Sequence, residues 1–171
     1  RSKAPLLGIN LGKVGFLTDV QPEKITSSLN EILKGIFVKD NRFFLESSIN
    51  KKRKKLIALN EVVIHSGAVA QMIEYEVFID NNFVYSQKSD GLIINSPTGS
   101  TAYSLSGGGP IIHPSMSSIT LLPILPHSLS SSPLVIPSDS LIEIVIGPNK
   151  NKSVLSIDSH DKVILKKGDI V

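Results

Sequence analysis

The spacing of apolar residues changes from helical to alternating near residue 35. Over residues 22–34 apolar side chains recur at i, i+4, i+7 and i+8, which predicts a helix beginning at Pro22 and ending at Gly35. The recurring positions are Ile25, Leu29, Ile32 and Leu33. Residues 5–10, PLLGIN, predict a short buried strand, and a glycine-containing loop follows. The first 40 residues therefore have an α/β pattern.

Beyond Gly35 the apolar period is two, as expected for strands with one buried face. Residues 42–50 and 55–65 predict a hairpin around a basic tract. Residues 72–80 and 83–87 predict another around Asn81-Asn82, because asparagine tolerates positive φ. Further short strands are predicted over residues 91–96, 117–125, 140–146, 153–157 and 162–168, with a short helix over residues 100–106.

The predicted fold class is α+β and mostly β. Residues 1–40 are expected to be the end of an N-terminal α/β domain, and residues 41–171 a C-terminal β-rich domain of two packed sheets. The chain does not begin with methionine and starts almost directly in an apolar run. We therefore expect it to be part of a larger protein.

Composition narrows the classes of function. Of the 171 residues, 41% are hydrophobic and 19% are charged, so a sizeable core is expected and disorder is not. There is no cysteine, which excludes disulfides and thiolate metal sites and fits the cytoplasm. No apolar run is long enough to predict a membrane span.

The net charge is +3, and five of the 18 basic residues lie in one tract, residues 51–55 (KKRKK). Such a tract fits a nucleic-acid patch or a solvated hairpin tip. No aromatic residue is interleaved with these charges, so we favour the hairpin tip and expect no nucleic-acid partner.

Three motifs that would carry other chemistry fail on spacing. Gly8 to Lys13 resembles a phosphate loop, but it has three residues between the glycines where four are needed, and Val14 stands where Ser or Thr would coordinate magnesium. The segment beginning Gly99-Ser100 lacks the second glycine of a nucleophile elbow. The four histidines are far apart, so no zinc site is predicted.

Two polar features interrupt strands. Asn60-Glu61 breaks the apolar run LIALNEVVIH, and burying either side chain without a partner costs about 1–3 kcal/mol. The pair fits a β-bulge or an edge position, or an amide and a carboxylate aimed at ligand hydroxyls. Asp90, at the mouth of the strand GLIIN, fits a turn aspartate or a ligand contact.

The segment SPTGSTAYSLSGGGP, residues 96–110, has the composition of a ligand loop. Thr98 or Ser100 can cap a helix whose N-terminus would suit phosphate. Tyr103 offers a flat face for a ring, and three consecutive glycines permit close approach of a backbone or ligand. The alternative is a capped helix followed by a loose turn, and the cost of ordering three glycines favours function.

With these residues in place, the chain resembles the NAD kinase family. The residues that carry the resemblance lie in four ordered segments: GINLGKVGFLTD, with the family's Asn-x-Gly-x-x-Gly-Phe-Leu pattern; ALNEVVIH; DGLIINSPTGSTAYSLSGGGPIIHP; and PILPHSLSSSPLVIP. The resemblance implies transfer of the γ-phosphoryl group of ATP to the 2′-hydroxyl of the adenosine ribose of NAD, making NADP. It further implies a divalent metal, usually Mg²⁺, and a homodimer or homotetramer.

The resemblance also implies site residues. Asn60 and Glu61 would bind ribose hydroxyls, and Asp90 would hold the nicotinamide side. The segment expected to wrap NAD comprises Thr101, Ala102, Tyr103, Ser104, Leu105 and Ser106. Further possible contacts are Phe16, Gln71, Lys88, Thr98 and the segment Asp158-Ser159-His160, although many family members have glutamine where His160 stands.

One family motif, Gly-Gly-Asp-Gly, does not occur in these residues. In the family its aspartate is the proposed general base, and a positioned base typically contributes a factor of about 10²–10⁴ in rate. We therefore expect the 171 residues alone to have little or no kinase activity, no catalytic residue among them, and the aspartate upstream of Arg1. The alternatives are a non-catalytic dinucleotide-binding module and a lipid or sphingoid kinase. Tyr103 and the Asn60-Glu61 pair disfavour the lipid kinase.

Overall fold

A computed structural model describes residues 5–11, 18, 20–52, 54–68, 71–128, 131–149 and 152–171. The chain divides into two compact units, Arg1–Asn41 and Arg42–Val171. None of the helices in the described part of the chain has the length and apolar content needed to cross a bilayer.

The first unit contains the predicted helix. A 3₁₀ turn, Pro22–Lys24, leads into α1, Ile25–Leu33, and Gly35 follows with φ of 82°. The predicted strand PLLGIN is wrong over its described residues. Only an isolated bridge forms between Ile9 and Val20, and Leu6 is 98% exposed. An apolar run becomes a buried strand only where neighbours pair with it along its length, and the described residues of this unit supply none.

The second unit contains eleven strands within its described residues. The strands are β1 (Leu45–Ser47), β2 (Leu56–Ala58), β3 (Glu61–His65), β4 (Ile73–Ile79), β5 (Asn82–Ser89), β6 (Gly91–Asn95), β7 (Ser118–Ile124), β8 (Leu134–Pro137), β9 (Ile142–Ile146), β10 (Ser153–Ile157) and β11 (Asp161–Leu165). A 3₁₀ turn, Thr98–Thr101, and a four-residue helix α2, Tyr103–Ser106, lie between β6 and β7.

These strands form three antiparallel sheets. A six-stranded sheet has the order β11-β10-β3-β6-β7-β8, a three-stranded sheet the order β5-β4-β9, and β1 pairs with β2. One face of the six-stranded sheet shares a core with the three-stranded sheet. Ile64 and Leu92 on one side are packed in the same cluster as Tyr75 and Ile144 on the other. The prediction of two packed sheets is confirmed, with β1-β2 as a small third sheet.

The hairpin around the basic tract is confirmed: β1 pairs with β2 in the register Leu45 to Ala58. At its tip Lys51 is exposed and forms an ion pair with Glu143 at 3.4 Å. Lys55 pairs with Glu46.

Several local predictions were wrong by a few residues. The second hairpin turns at Asp80-Asn81, both with positive φ, because Asn82 already pairs with Ile79. The strand over residues 55–65 is broken into β2 and β3 around Asn60. The helix over residues 100–106 is two short pieces separated by the non-helical Ala102. Strand β8 was not predicted at all.

Candidate functional site

The second face of the six-stranded sheet carries the candidate site. The register places Glu61 beside Asn95, and Asn95 beside Thr120, at one end of β3, β6 and β7. All three polar side chains are buried, with exposures of 3%, 0% and 1%. Val63, Ile93 and Leu122 each lie two residues away from one of these polar residues on the same strand, and they form a small apolar cluster. This face is therefore polar at one end and apolar in the middle.

Glycines allow the segment after β6 to pack closely on this face. A Cβ at Gly99 would lie 2.2 Å from the carbonyl oxygen of Asn60, so only glycine permits that approach. A Cβ at Gly109 would meet the Ser104 hydroxyl at 2.3 Å. Of the three consecutive glycines, Gly109 thus approaches the protein's own Ser104 closely, whereas a Cβ at Gly108 would meet no atom within 4 Å.

The segment carrying Asn60 and Glu61 is fixed from two sides. The Asp158 carboxylate, in the turn between β10 and β11, accepts hydrogen bonds from the amides of Leu59 at 2.7 Å, Asn60 at 2.9 Å and Glu61 at 3.0 Å. From the other side, the hydroxyl of Ser96 donates to the Leu59 carbonyl at 2.6 Å. The backbone of this polar pair is therefore held while its side chains carry no part of the anchoring.

Both side chains keep unsatisfied oxygens. Among the described residues, Asn60 Oδ1 and Glu61 Oε2 are buried with no hydrogen-bond partner. The same is true of Asn95 Oδ1, on β6, and Ser104 Oγ, on α2. An unpaired buried acceptor costs about 1–3 kcal/mol, so such groups call for a donor from elsewhere. Ligand hydroxyls have the right chemistry.

Burial controls the charge of Glu61. Desolvation, and then the nearby negative charge of Asp158, raise the pKa of Glu61 to about 7. The carboxyl group is therefore divided between its neutral and charged forms near neutral pH. It can donate to a ligand in one form and accept from it in the other.

A cavity of about 440 Å³ lies on the same face. Its lining includes Asp90 and Tyr103 together with His65, Ser66, Ser156, Ser159 and Lys162. Burial, and then the Lys162 charge, lower the pKa of His65, and its Nδ1 accepts a hydrogen bond from the Gly67 amide at 3.0 Å. The size and the mixed lining are those of a small-molecule pocket.

The structure gathers some of the residues predicted for the site and separates others. Asp90 and Tyr103 line one cavity, whereas Asn60 and Glu61 lie outside its lining, at the polar end of the same face of the sheet. His160 is exposed in the turn that contains Asp158. Lys88, on β5, forms an ion pair with Glu74 at 3.0 Å and lies outside the cavity lining. The half-buried Gln71 precedes β4 and is also outside it. Phe16 lies outside the described residues.

The segment predicted to wrap a ligand is mostly accessible. Thr101 and Ala102 are half-buried, Tyr103, Leu105 and Ser106 are exposed, and Ser104 is buried. Thr98 is buried, and its hydroxyl accepts a hydrogen bond from the Arg42 guanidinium at 3.1 Å.

The predicted helix cap is wrong. Neither the 3₁₀ turn nor α2 has a side-chain cap, and Ser100 Oγ donates instead to the Pro97 carbonyl at 2.7 Å. The amides of Gly99 and Ser100 are used within the protein, by Ser96 Oγ and the Pro97 carbonyl. This turn therefore does not offer the row of unpaired amides expected for phosphate.

Sequence reasoning missed several residues of the site. Asn95 and Thr120 join it only through strand register, and Lys162 and His65 through the order of β10, β11 and β3. For the segment Asp158-Ser159-His160 the resemblance implies a ligand contact, and the structure adds that the Asp158 carboxylate holds the backbone of Asn60 and Glu61. The alternation of GLIIN could have pointed to Asn95, but nothing local signals the role of Asp158.

Comparison with known families gives two matches. The ATP-NAD kinase C-terminal domain matches residues 59–171, and the ATP-NAD kinase N-terminal domain matches residues 1–37.

Individual relatives agree. The chain is 49% identical over 175 residues to an NAD kinase of Chromohalobacter salexigens, covering 100% of this chain and 60% of that protein. It is 33% identical to yeast NADH kinase solved in complex with NADH, with a TM-score of 0.86. This match covers 96% of this chain and 48% of the yeast chain. An NAD kinase from Archaeoglobus fulgidus in complex with ATP is 30% identical, with a TM-score of 0.82. This match covers 97% of this chain and 63% of the Archaeoglobus chain.

The chain thus spans about 60% of the length of the Chromohalobacter relative. The two matched domains cover most residues of this chain. They include Asn60 and Glu61, the glycine-dependent packing and the cavity. The chain belongs to the NAD kinase family.

Proposed function

We propose that the protein containing this chain transfers the γ-phosphoryl group of ATP to the 2′-hydroxyl of the adenosine ribose of NAD. The observation that carries the proposal is the pair of buried, unpartnered oxygens, Asn60 Oδ1 and Glu61 Oε2, on a backbone held by hydrogen bonds with Asp158 and Ser96. Such a pair suits adjacent ribose hydroxyls, because an amide and a carboxyl oxygen can each pair with one hydroxyl.

The cavity supplies the remaining contacts in this proposal. Tyr103 lies at its wall with about half of its side chain exposed, so a planar base or nicotinamide ring can stack on it. Asp90, at the start of β6, offers a carboxylate to the nicotinamide amide. The half-buried Thr101 and Ala102 would border the ligand, and Thr98, Leu105, Ser106 and His160 would lie near it. Gln71, Lys88 and Phe16 are weaker candidates.

The reaction forms a bond between the 2′ oxygen and the γ-phosphorus and breaks the bond from that phosphorus to its bridging oxygen. ADP leaves, and the hydroxyl proton passes to a base. In this proposal the residues of this chain contribute orientation, because they fix the ribose so that its 2′ oxygen faces the γ-phosphate of ATP. Positioning provides much of the catalysis of phosphoryl transfer. The base and the phosphate contacts belong to the rest of the protein in this proposal.

The expected metal finds no ligand set in the part of the chain that the structure describes, which holds no group of three or more His, Asp or Glu side chains that could bind an ion. Magnesium therefore enters the proposal only with the phosphates of ATP, which are its usual partners. The structure in complex with ATP from Archaeoglobus fulgidus favours ATP as the donor, and the yeast structure with NADH makes NADH a second acceptor to test.

The test is calorimetric titration of the full-length protein with NAD, followed by an assay of NADP formation with ATP and Mg²⁺. Asp90→Ala should raise the Kd for NAD by about 10-fold or more, as expected when a half-buried polar partner of the ligand is lost. Asp139→Ala, which removes a carboxylate from the turn after β8, is the matched control and should bind as wild type.

Binding of NAD without NADP formation would support the non-catalytic dinucleotide-binding module instead. Failure of the intact protein to bind NAD or NADH would overturn the proposal. We also propose a homodimer or homotetramer in the cytoplasm, which sedimentation and cell fractionation can test.

A further inference from the structure

The turn between β10 and β11 brings one carboxylate against three consecutive backbone amides. Asp158 Oδ2 accepts from the Leu59 amide, and Oδ1 accepts from both the Asn60 and Glu61 amides. The Asp158 amide in turn donates to the Glu61 carbonyl at 3.0 Å. Four hydrogen bonds thus join one residue to a three-residue segment.

This arrangement sits where the chain leaves regular structure. β2 ends at Ala58 and β3 begins at Glu61, so the amides between them have no ladder partner of their own. Asp158 provides that partner, and it does so from a strained position: Asp158 and Ser159 have φ of 44° and 62°, in the left-handed region. The surrounding structure must hold the turn in this conformation, and the four hydrogen bonds do so.

The same carboxylate acts electrostatically on Glu61. Besides burial, Asp158 is the charge that disfavours ionisation of Glu61. Lys162, on the neighbouring strand β11, and His65, four residues along β3, face the cavity on the same side of the sheet. Asp158 therefore affects both where the Glu61 carboxyl lies and which form it takes near neutral pH.

We propose that Asp158 is a positioning residue of the dinucleotide site, holding Asn60 and Glu61 for the ribose hydroxyls and making dinucleotide affinity depend on pH near neutrality. This inference rests on the proposed function, because the ligand is NAD. The ionised carboxylate accepts the stronger, charge-assisted hydrogen bond from a hydroxyl. Affinity should therefore rise as pH rises through the range in which Glu61 loses its proton.

The experiment measures the Kd for NAD of the full-length protein by calorimetry between pH 5.5 and 8.5. In wild type the Kd should fall as pH rises through about 7 and level off near pH 8, where most of Glu61 is ionised. Asp158→Asn should raise the Kd about 10-fold or more at pH 8 and move the midpoint of the pH profile to lower pH, because the opposing charge is removed. Glu61→Gln should flatten the profile.

Asp169→Asn is the matched control. Its carboxylate also accepts hydrogen bonds in a turn, from the Asn50 side chain at 2.7 Å and the Lys166 amide at 2.7 Å, and these donors lie outside the segment Leu59–Glu61. This variant should reproduce both the wild-type affinity and the wild-type midpoint. A loss of turn stability alone would affect both variants, whereas the shifted midpoint is specific to Asp158.

The outcomes are separable. Wild-type protein that binds neither NAD nor NADH would overturn the proposed function and this inference with it. Wild-type protein that binds NAD, with Asp158→Asn matching Asp169→Asn in affinity and midpoint, would overturn the inference alone. If Asp158→Asn does not fold, Asp158→Glu keeps the charge and displaces it by one methylene. It should raise the Kd without moving the midpoint, and an unchanged Kd would overturn the positioning role.

Discussion

The buried carboxyl group of Glu61 links ligand chemistry to stability at the scale of a single residue. A group whose pKa is raised on folding contributes stability that is fully present below its unfolded pKa and is lost as pH rises through its folded pKa. For Glu61 that window runs from about 4.5 to about 7. Above it, the folded protein carries a desolvated charge.

Replacing Glu61 by Gln should therefore stabilise the ligand-free protein at pH 8 while weakening NAD binding. Relative to pH 5, wild type should lose up to about 3 kcal/mol at pH 8 that the variant keeps. Urea unfolding of both proteins at the two pH values measures this difference. Glu76→Gln is the control, because it makes the same substitution on the exposed side of β4.

At the scale of the residue, the sequence identified the unusual polar side chains but not the hydrogen bonds that hold them. Asn60-Glu61 stood out because polar residues interrupted an apolar run, and the structure finds both with buried, unpartnered oxygens. The sequence did not show that Asp158 holds the backbone of this pair, because the amides that it binds are 97 to 99 positions away in the chain. Local spacing carries no information on such a pair.

At the scale of the element, the junction between β6 and the following 3₁₀ turn packs closely against the segment that carries the polar pair. Gly99 lies directly on the Asn60 backbone, and the Asn60 carbonyl accepts from the Ser96 amide at 2.9 Å. A side chain at Gly99 would push apart the two segments that hold the polar pair.

Gly99→Ala should consequently cost about 1–3 kcal/mol in unfolding free energy, as overpacking usually does, and weaken NAD binding. Gly108→Ala is the control. Its φ of 83° makes alanine unfavourable by about 1 kcal/mol, but no atom lies within 4 Å of the added methyl group, so NAD affinity should be preserved. Equal loss of NAD affinity in both variants would contradict this account. Thermal unfolding and calorimetry measure the two quantities.

Elements were predictable where their pattern was long and their partners were near. The helix α1 and both hairpins followed from periodicity and turn residues. β8 was missed, since it has four residues and ends in Pro137. The strand PLLGIN was wrong because apolar character alone does not supply pairing partners. The amides at the break between β2 and β3 pair with the distant Asp158, which local pattern does not reveal.

At the scale of the whole molecule, one sheet serves two purposes on its two faces. Ile64 points to the shared core, and its neighbours Val63 and His65 point to the face with the cavity. Because successive residues alternate, a substitution that destabilises the core need not touch the site.

Ile64→Ala should therefore lower the unfolding free energy by about 2–5 kcal/mol, the usual cost of a large buried deletion. The folded fraction should still bind NAD within a few-fold of wild type. Ile164→Ala, on β11, is the matched control: Ile164 is 56% exposed whereas Ile64 is 0% exposed, so the cost should be small. Denaturant titration with and without NAD tests both expectations, and similar losses for the two variants would contradict the assignment of the core.

The link from Asp158 to the segment Leu59–Glu61 also sets an order of events during synthesis. A ribosome makes the chain from its N-terminus, so the polar pair is produced nearly a hundred residues before the carboxylate that locks it. The neighbour of β3 on one side, β10, arrives equally late. Until then β3 has an unpaired edge, which makes the nascent chain vulnerable to association with other chains. The same long-range closure that orders the binding site is thus expected to make its assembly one of the last steps of folding.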